Sequence, residues 1–195
     1  MDLFLLRVAS LHDDADLARY VATVGHRIAS TVEAPGVDWT FRVLDLTEPA
    51  AWAAPGGYVY VTHGLLAHLG SEAELAGLLA HEIAHVAAGH ASAVREGLPV
   101  SVPTDPGELW ALFEHDQDME READQLAVEY LERAGYDPRA MLALFDSLRR
   151  ASSAFHDQTR AEEEGDRDHP PLEARAALVA RCIAGRPAGQ VSRER

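Results

Sequence analysis

The stretch LLAHEIAHVAAGH, Leu78 to His90, limits this chain more than any other. Placed at about 100° per residue, Leu75, Leu78, Leu79, Ile83, Val86 and the alanines between them cover nearly the whole circumference of a helix. A helix that is apolar all round has to be enclosed by the rest of the fold. Ser71 followed by Glu74 is a helix-start signature, so this helix is predicted to begin near Glu72 and to end around Gly89. His81, Glu82 and His85 are carried into the interior with it. A buried imidazole or carboxylate without a partner costs on the order of several kcal/mol, so these three groups need one.

His81 and His85 stand four apart, one turn above the other, where both rings can reach a single ion at the roughly 2.0 to 2.1 Å of zinc–nitrogen bonds. Glu82 lies close enough to address a water at that ion without binding the ion itself. The pattern is H-E-x-x-H, two zinc ligands with a general base between them. A plainer reading, two core histidines hydrogen-bonded to backbone or acids, gives no reason for three polar groups in so apolar a helix. A catalytic zinc usually has three protein ligands, and the third is sought in the segment FEHDQDMEREADQLAVEYLERAGYD. On a helical wheel Met119, Ala123, Leu126, Ala127, Tyr130 and Leu131 form its core arc, with Glu122, Gln125, Glu129 and Arg133 opposite. Glu120 and Asp124 sit at the edge of the core arc, four apart. Glu120 is therefore predicted to complete the zinc shell, and Asp124 to accept a hydrogen bond from a ligand imidazole. Asp116, one turn upstream, is the second choice of ligand, and Glu122 reads as surface charge.

The surroundings predict an α+β chain, mainly helical, with a small β-sheet beside the H-E-x-x-H helix. Leu17, Val21, Val24 and Ile28 recur at helical spacing between Asp14 and Ser30. Trp39, Phe41 and Val43 alternate with polar residues, and the turn Ala54-Pro55-Gly56-Gly57 precedes the β-rich run YVYVT, so two strands are expected in one sheet. Tyr58 to Thr62 is either an edge strand that holds an extended substrate by main-chain pairing or a fully paired one. A Pro- and Gly-rich loop, GLPVSVPTDPG, leads to the second long helix, which stops at Gly135. Asp137-Pro138 starts another helix to about Ala151, HDQTRAEEEGDRDHPP reads as a loop, and LEARAALVARCIA as a last helix. Residues 1–184 are expected to form one catalytic domain and 185–195 a flexible tail.

Among the 195 residues 17 basic side chains face 32 acidic ones, a formal charge of −15 that argues against a nucleic-acid or anionic-membrane surface. Cys182 is the only cysteine, so an intrachain disulfide is impossible. MDLFLLRVASLHDD is a poor secretory signal, and no run approaches the roughly 18 to 20 apolar residues of a bilayer span, so a cytoplasmic location without a membrane span is expected.

His81-Glu82-Ile83-Ala84-His85 followed by Glu120-Arg121-Glu122-Ala123-Asp124 resembles the signature of the zinc metallopeptidases that include HtpX and the CAAX prenyl endopeptidases, a gluzincin group. PGGYVYVTHGLL, Pro55 to Leu66, and DHPPLEAR, Asp168 to Arg175, resemble further stretches of that family. The resemblance implies a zincin-like fold, one Zn2+ held by His81, His85 and Glu120, Glu82 as catalytic base, Asp124 beside the ligands, and an endopeptidase acting on peptides or unfolded protein. It also implies a place near the site for His169, either as a donor to the oxyanion or as an inhibitory fourth ligand. Arg175 is then a tether for the same loop or a plain surface arginine. Family members often carry asparagine where Ala50 stands here. His90, nine after His81, falls about 180° from the ligand face and is read as a residue near a helix C-terminus, where partial positive charge is favourable, while His12, His26, His63, His68, His115 and His156 show no ligand spacing and are read as structural or exposed. The rival reading is a silent or self-inhibited peptidase-like module that grips peptides without cutting them; loss of Glu82 or of a ligand would mark it, and neither is seen.

Overall fold

The computed structural model describes residues 9–90, 116–159 and 171–186. Asp14 opens the first helix, α1 (Ala15–Ala29), by accepting hydrogen bonds from the Asp16 and Leu17 amides, and its apolar stripe of Val21, Val24 and Ile28 is buried as the spacing predicts. Three strands follow: β1 (Thr40–Leu44), β2 (Ala51–Ala54) and β3 (Tyr58–Thr62), in the order β1-β3-β2. β3 runs parallel to β1 and antiparallel to β2. The reversal between β2 and β3 needs glycine: Gly56 and Gly57 have φ of +94° and +90°, and a Cβ on Gly57 would lie 2.7 Å from the Asp38 carbonyl oxygen.

One sequence expectation changes here, and one left open between two readings is decided. β2 was not expected, because alanine is a weak strand former; what holds it is Trp52, buried and stacked on Tyr60 with ring centroids 5.7 Å apart. β3, moreover, is the central strand. Paired on both sides, it cannot serve as an edge for substrate, and the strand on the other edge, which packs against the central helix, is β2.

Thr62 caps the short α2 (His63–Leu66), and Ser71 then starts α3 (Glu72–Ala87). Every residue of α3 from Glu74 to His85 is buried. The all-apolar helix is enclosed by α1, by β2, and by two later helices, α4 (Gln117–Arg133) and α5 (Ala140–Thr159). The last, α6 (Leu172–Ala184), lies against α4 and α5. α5 runs on past Ala151 to Thr159, since nothing in ASSAFHDQT breaks a helix. Residues 97–107, expected as a loop, lie outside the described residues. No helix among the described residues is long and apolar enough to cross a membrane.

Glu74 joins two of these elements. Its carboxylate accepts from the Gly70 amide at 3.0 Å, from Ser71 Oγ at 3.1 Å and from Ser147 Oγ of α5 at 2.6 Å. Burial opposes its ionisation, but these three donors hold its pKa below the ordinary 4.5. A carboxylate with a lowered folded-state pKa stabilises the fold above its unfolded value, and that contribution is lost as pH falls through the lower, folded one. Glu74→Ala is expected to cost about 2 kcal/mol at neutral pH, read from urea unfolding, with the difference from the native chain shrinking below pH 4.5.

Candidate metal centre

α3 and α4 pack side by side, and the contact brings together what the sequence holds some 40 residues apart, by rough count of the spacing between the two motifs. Nε2 of His81 and Nε2 of His85 are 3.0 Å apart. From α4, one oxygen of Glu120 stands 3.2 Å from His85 Nε2 and the other 3.5 Å from His81 Nε2. Four ligands at 2.0 to 2.1 Å in a tetrahedron lie about 3.3 Å from one another. The two ring nitrogens and the nearer Glu120 oxygen of each are thus at about that spacing, and one ligand atom from each of the three residues lies within 4.8 Å of the others, so the residues fit a zinc ion.

Charge points the same way. His81, Glu82, His85, Glu120, Asp124 and Arg175 are all buried, between 0% and 8% exposed. With neutral imidazoles, three carboxylates against one guanidinium leave two negative charges, the complement of a divalent cation. Burial, and next the Arg175 charge, disfavour protonated His81, but Glu120 and Asp124 outweigh both and raise its pKa from 6.5 to about 10. The pocket thus favours positive charge where the ring nitrogens converge.

Behind the three donors lies a second set of contacts. Asp124 Oδ1 is 3.1 Å from Nδ1 of His81, on the side of the ring away from Glu120. Arg175, in the first turn of α6, donates to both oxygens of Asp124, from Nε at 2.8 Å and Nη2 at 2.7 Å, and pairs with Glu120 through Nη1 at 2.9 Å. Its guanidinium lies over the Phe145 ring of α5, 5.1 Å from the centroid. Of the two readings of Arg175, the structure gives a buried ion-pair partner and not a surface side chain.

Four other expectations come out differently or lie out of reach. Asp116 is not among the clustered groups: its carboxylate caps α4, accepting from the Asp118 and Met119 amides at 2.9 Å. His90 lies off the ligand face, as expected, but it is packed against the back of His85. It is 6% exposed, with Nδ1 3.1 Å from Nδ1 of His85, and Nε2 3.4 Å from a carboxylate oxygen of the exposed Glu122. A helical wheel misses the contact with His85 because α3 stops at Ala87 and Gly89, at φ +81°, turns the chain back. His12 and His63, read as lacking ligand spacing, meet Asp45 in a second, more exposed cluster with donor atoms within 4.8 Å of one another. The parallel register that pairs Leu44 with Thr62 makes Asp45 and His63 neighbours, and the His12 amide bonds to Val43 beside them. His169 lies outside the described residues.

Comparison with known proteins places this arrangement in a family. The model of peptidase family M48 matches residues 15–101 and 109–182. The chain is 28% identical to a putative beta-barrel assembly-enhancing protease of Vibrio cholerae, across 87% of this chain and 45% of that protein. It is 26% identical to the beta-barrel assembly-enhancing protease of Escherichia coli, across 72% and 34%, and 32% identical to the mitochondrial metalloendopeptidase OMA1 of Arabidopsis thaliana, across 62% and 28%. The chain thus spans less than half the length of each of these three relatives. Their names are not those of the HtpX and CAAX prenyl endopeptidase group to which the motifs were compared, and the likeness stands at the level of the broader family. With that family's model covering the whole of α1, α3, α4 and α5 and most of α6, the chain belongs to peptidase family M48.

Proposed function

We propose that this chain is a zinc-dependent endopeptidase in which His81, His85 and Glu120 hold the metal and Glu82 handles the protons. The observation that carries the reading is the convergence of the two ring nitrogens, 3.0 Å apart, on the Glu120 carboxylate, whose two oxygens stand 3.2 and 3.5 Å from them. Zinc, when bound, lowers the pKa of a water toward about 7 and polarises a peptide carbonyl. Glu82, next to His81 on α3, takes one proton from the attacking water and later delivers it to the nitrogen of the departing amine. The C–N bond breaks, the acyl carbon keeps the oxygen of the water, and Glu82 ends as it began. Asp124 accepts the Nδ1 hydrogen of His81 and so leaves Nε2 bare toward the metal. Burial opposes ionised Asp124, but the hydrogen bonds from His81 and then Arg175 hold its carboxyl below the usual range, and Arg175 fixes its place. His169 stays a proposal in either of its two roles.

Relatives named as proteases support peptides or unfolded protein as the substrate class. A silent binding module is disfavoured, because Glu82 and all three donor residues are present and buried on adjoining elements.

Elemental analysis and cleavage of an unfolded protein test the assignment together. The native chain is expected to carry one zinc; Glu82→Gln keeps it while cleavage falls by about 100-fold or more, and His81→Ala loses both. Equal zinc in all three proteins contradicts the ligand set. Asp124→Ala is expected to cost about 3 kcal/mol in metal-free protein, because it strips a buried guanidinium of its bidentate partner. A double-mutant cycle with Arg175→Met should give a coupling of about 1 kcal/mol or more.

A further inference from the structure

His90 stands on the side of His85 away from the donor triangle. Its Nδ1 lies 3.1 Å from His85 Nδ1, and its Nε2 lies 3.4 Å from Glu122 Oε2. The rings meet edge-on, at 69° with centroids 5.1 Å apart, and both are buried, His85 at 1% and His90 at 6% exposure. Two ring nitrogens at that distance in the interior share one hydrogen, so one is the donor and the other the acceptor. The other nitrogen of His85 decides which. Nε2 faces His81 and Glu120, and an Nε2 that binds a metal carries no hydrogen. The ring's one hydrogen is then on Nδ1, and His90 Nδ1 has to accept it. His90 carries its own hydrogen on Nε2, toward Glu122.

We infer that His90 is a positioning residue for the zinc ligand His85: it accepts the Nδ1 hydrogen of His85, fixes the tautomer and ring plane that present Nε2 to the metal, and is itself oriented by Glu122. This deepens the proposed function and rests on His85 being a ligand. It gives the two ligand imidazoles separate supports, a carboxylate behind His81 and a second imidazole behind His85. Gly89 makes the second support possible, since its left-handed backbone folds His90 back onto the helix it has just left.

The test measures zinc affinity by competition with a chelator, alongside nitrogen-15 imidazole spectra of the zinc-loaded native chain. His90→Leu and His90→Asn have nearly the same shape, but only asparagine offers an acceptor oxygen near the place of Nδ1. His90→Leu is expected to weaken zinc binding 10- to 100-fold (order of magnitude), and His90→Asn to recover most of the loss. Glu122→Gln should weaken it less, its side chain being 61% exposed. The spectra should show the hydrogen of His85 on Nδ1 and that of His90 on Nε2. A leucine variant that binds zinc as tightly as the native chain, or a His90 protonated on Nδ1, overturns the inference. Should the leucine variant fail to fold in thermal melts, the spectra of the native chain decide alone. A native chain that takes up no zinc, or a His85→Ala variant that binds it unchanged, overturns the ligand assignment and this inference with it. Tight zinc binding that depends on His85 but not on His90 sinks the inference only.

Discussion

The contact between two imidazoles on α3 and one carboxylate on α4 is the constraint from which the rest of the arrangement follows. α3 is apolar enough to be buried on every side, and burial makes its polar groups expensive unless neighbours answer them. Glu120 answers His81 and His85 together, and Asp124, one turn on, answers the far side of His81. Two extra carboxylates in an interior would themselves be a burden without Arg175, which reaches both from α6. Three helices are thereby tied through one polar knot that still leaves excess negative charge. A divalent cation would balance it.

This coupling also explains why so much of the chain is occupied with holding a few atoms. The sheet, α1 and α5 make no direct contribution to the donor triangle. They enclose α3 and set where it lies, with Glu74 bonded to Ser147 near one end and Gly89 turning the chain at the other. α6 delivers Arg175 in its first turn, directly after a segment that includes His169. Since the chain matches less than half the length of its beta-barrel assembly-enhancing relatives, this core is what they share with it, and their substrates need not follow.

What the sequence disclosed is whatever depends on periodicity within one element. The enclosure of α3, the stacking of His81 over His85, and the inward phase of Glu120 and Asp124 all follow from 3.6 residues per turn. Each failure came where that rule ends. His90 was placed by extending the helix past Gly89, although the glycine was itself a stop signal. Asp116 had the right phase for a ligand, but an aspartate preceding a helix satisfies its amides first. β2 was hidden by its alanines, although the Pro-Gly-Gly turn implied a strand before it as well as after. The meeting of His12, Asp45 and His63 depends on strand register, which no spacing along the chain encodes.

X-ray absorption at the zinc edge of the metal-loaded chain tests the central claim most directly, because it reads the ligand atoms themselves. Two imidazole nitrogens and a carboxylate oxygen at about 2.0 to 2.2 Å are expected, with water or a third imidazole as the fourth ligand and no sulfur, and one nitrogen should disappear from the shell in His85→Ala. A shell containing sulfur, or one indifferent to the loss of His85, would mean that the ion sits elsewhere and that α3 and α4 were brought together for another purpose.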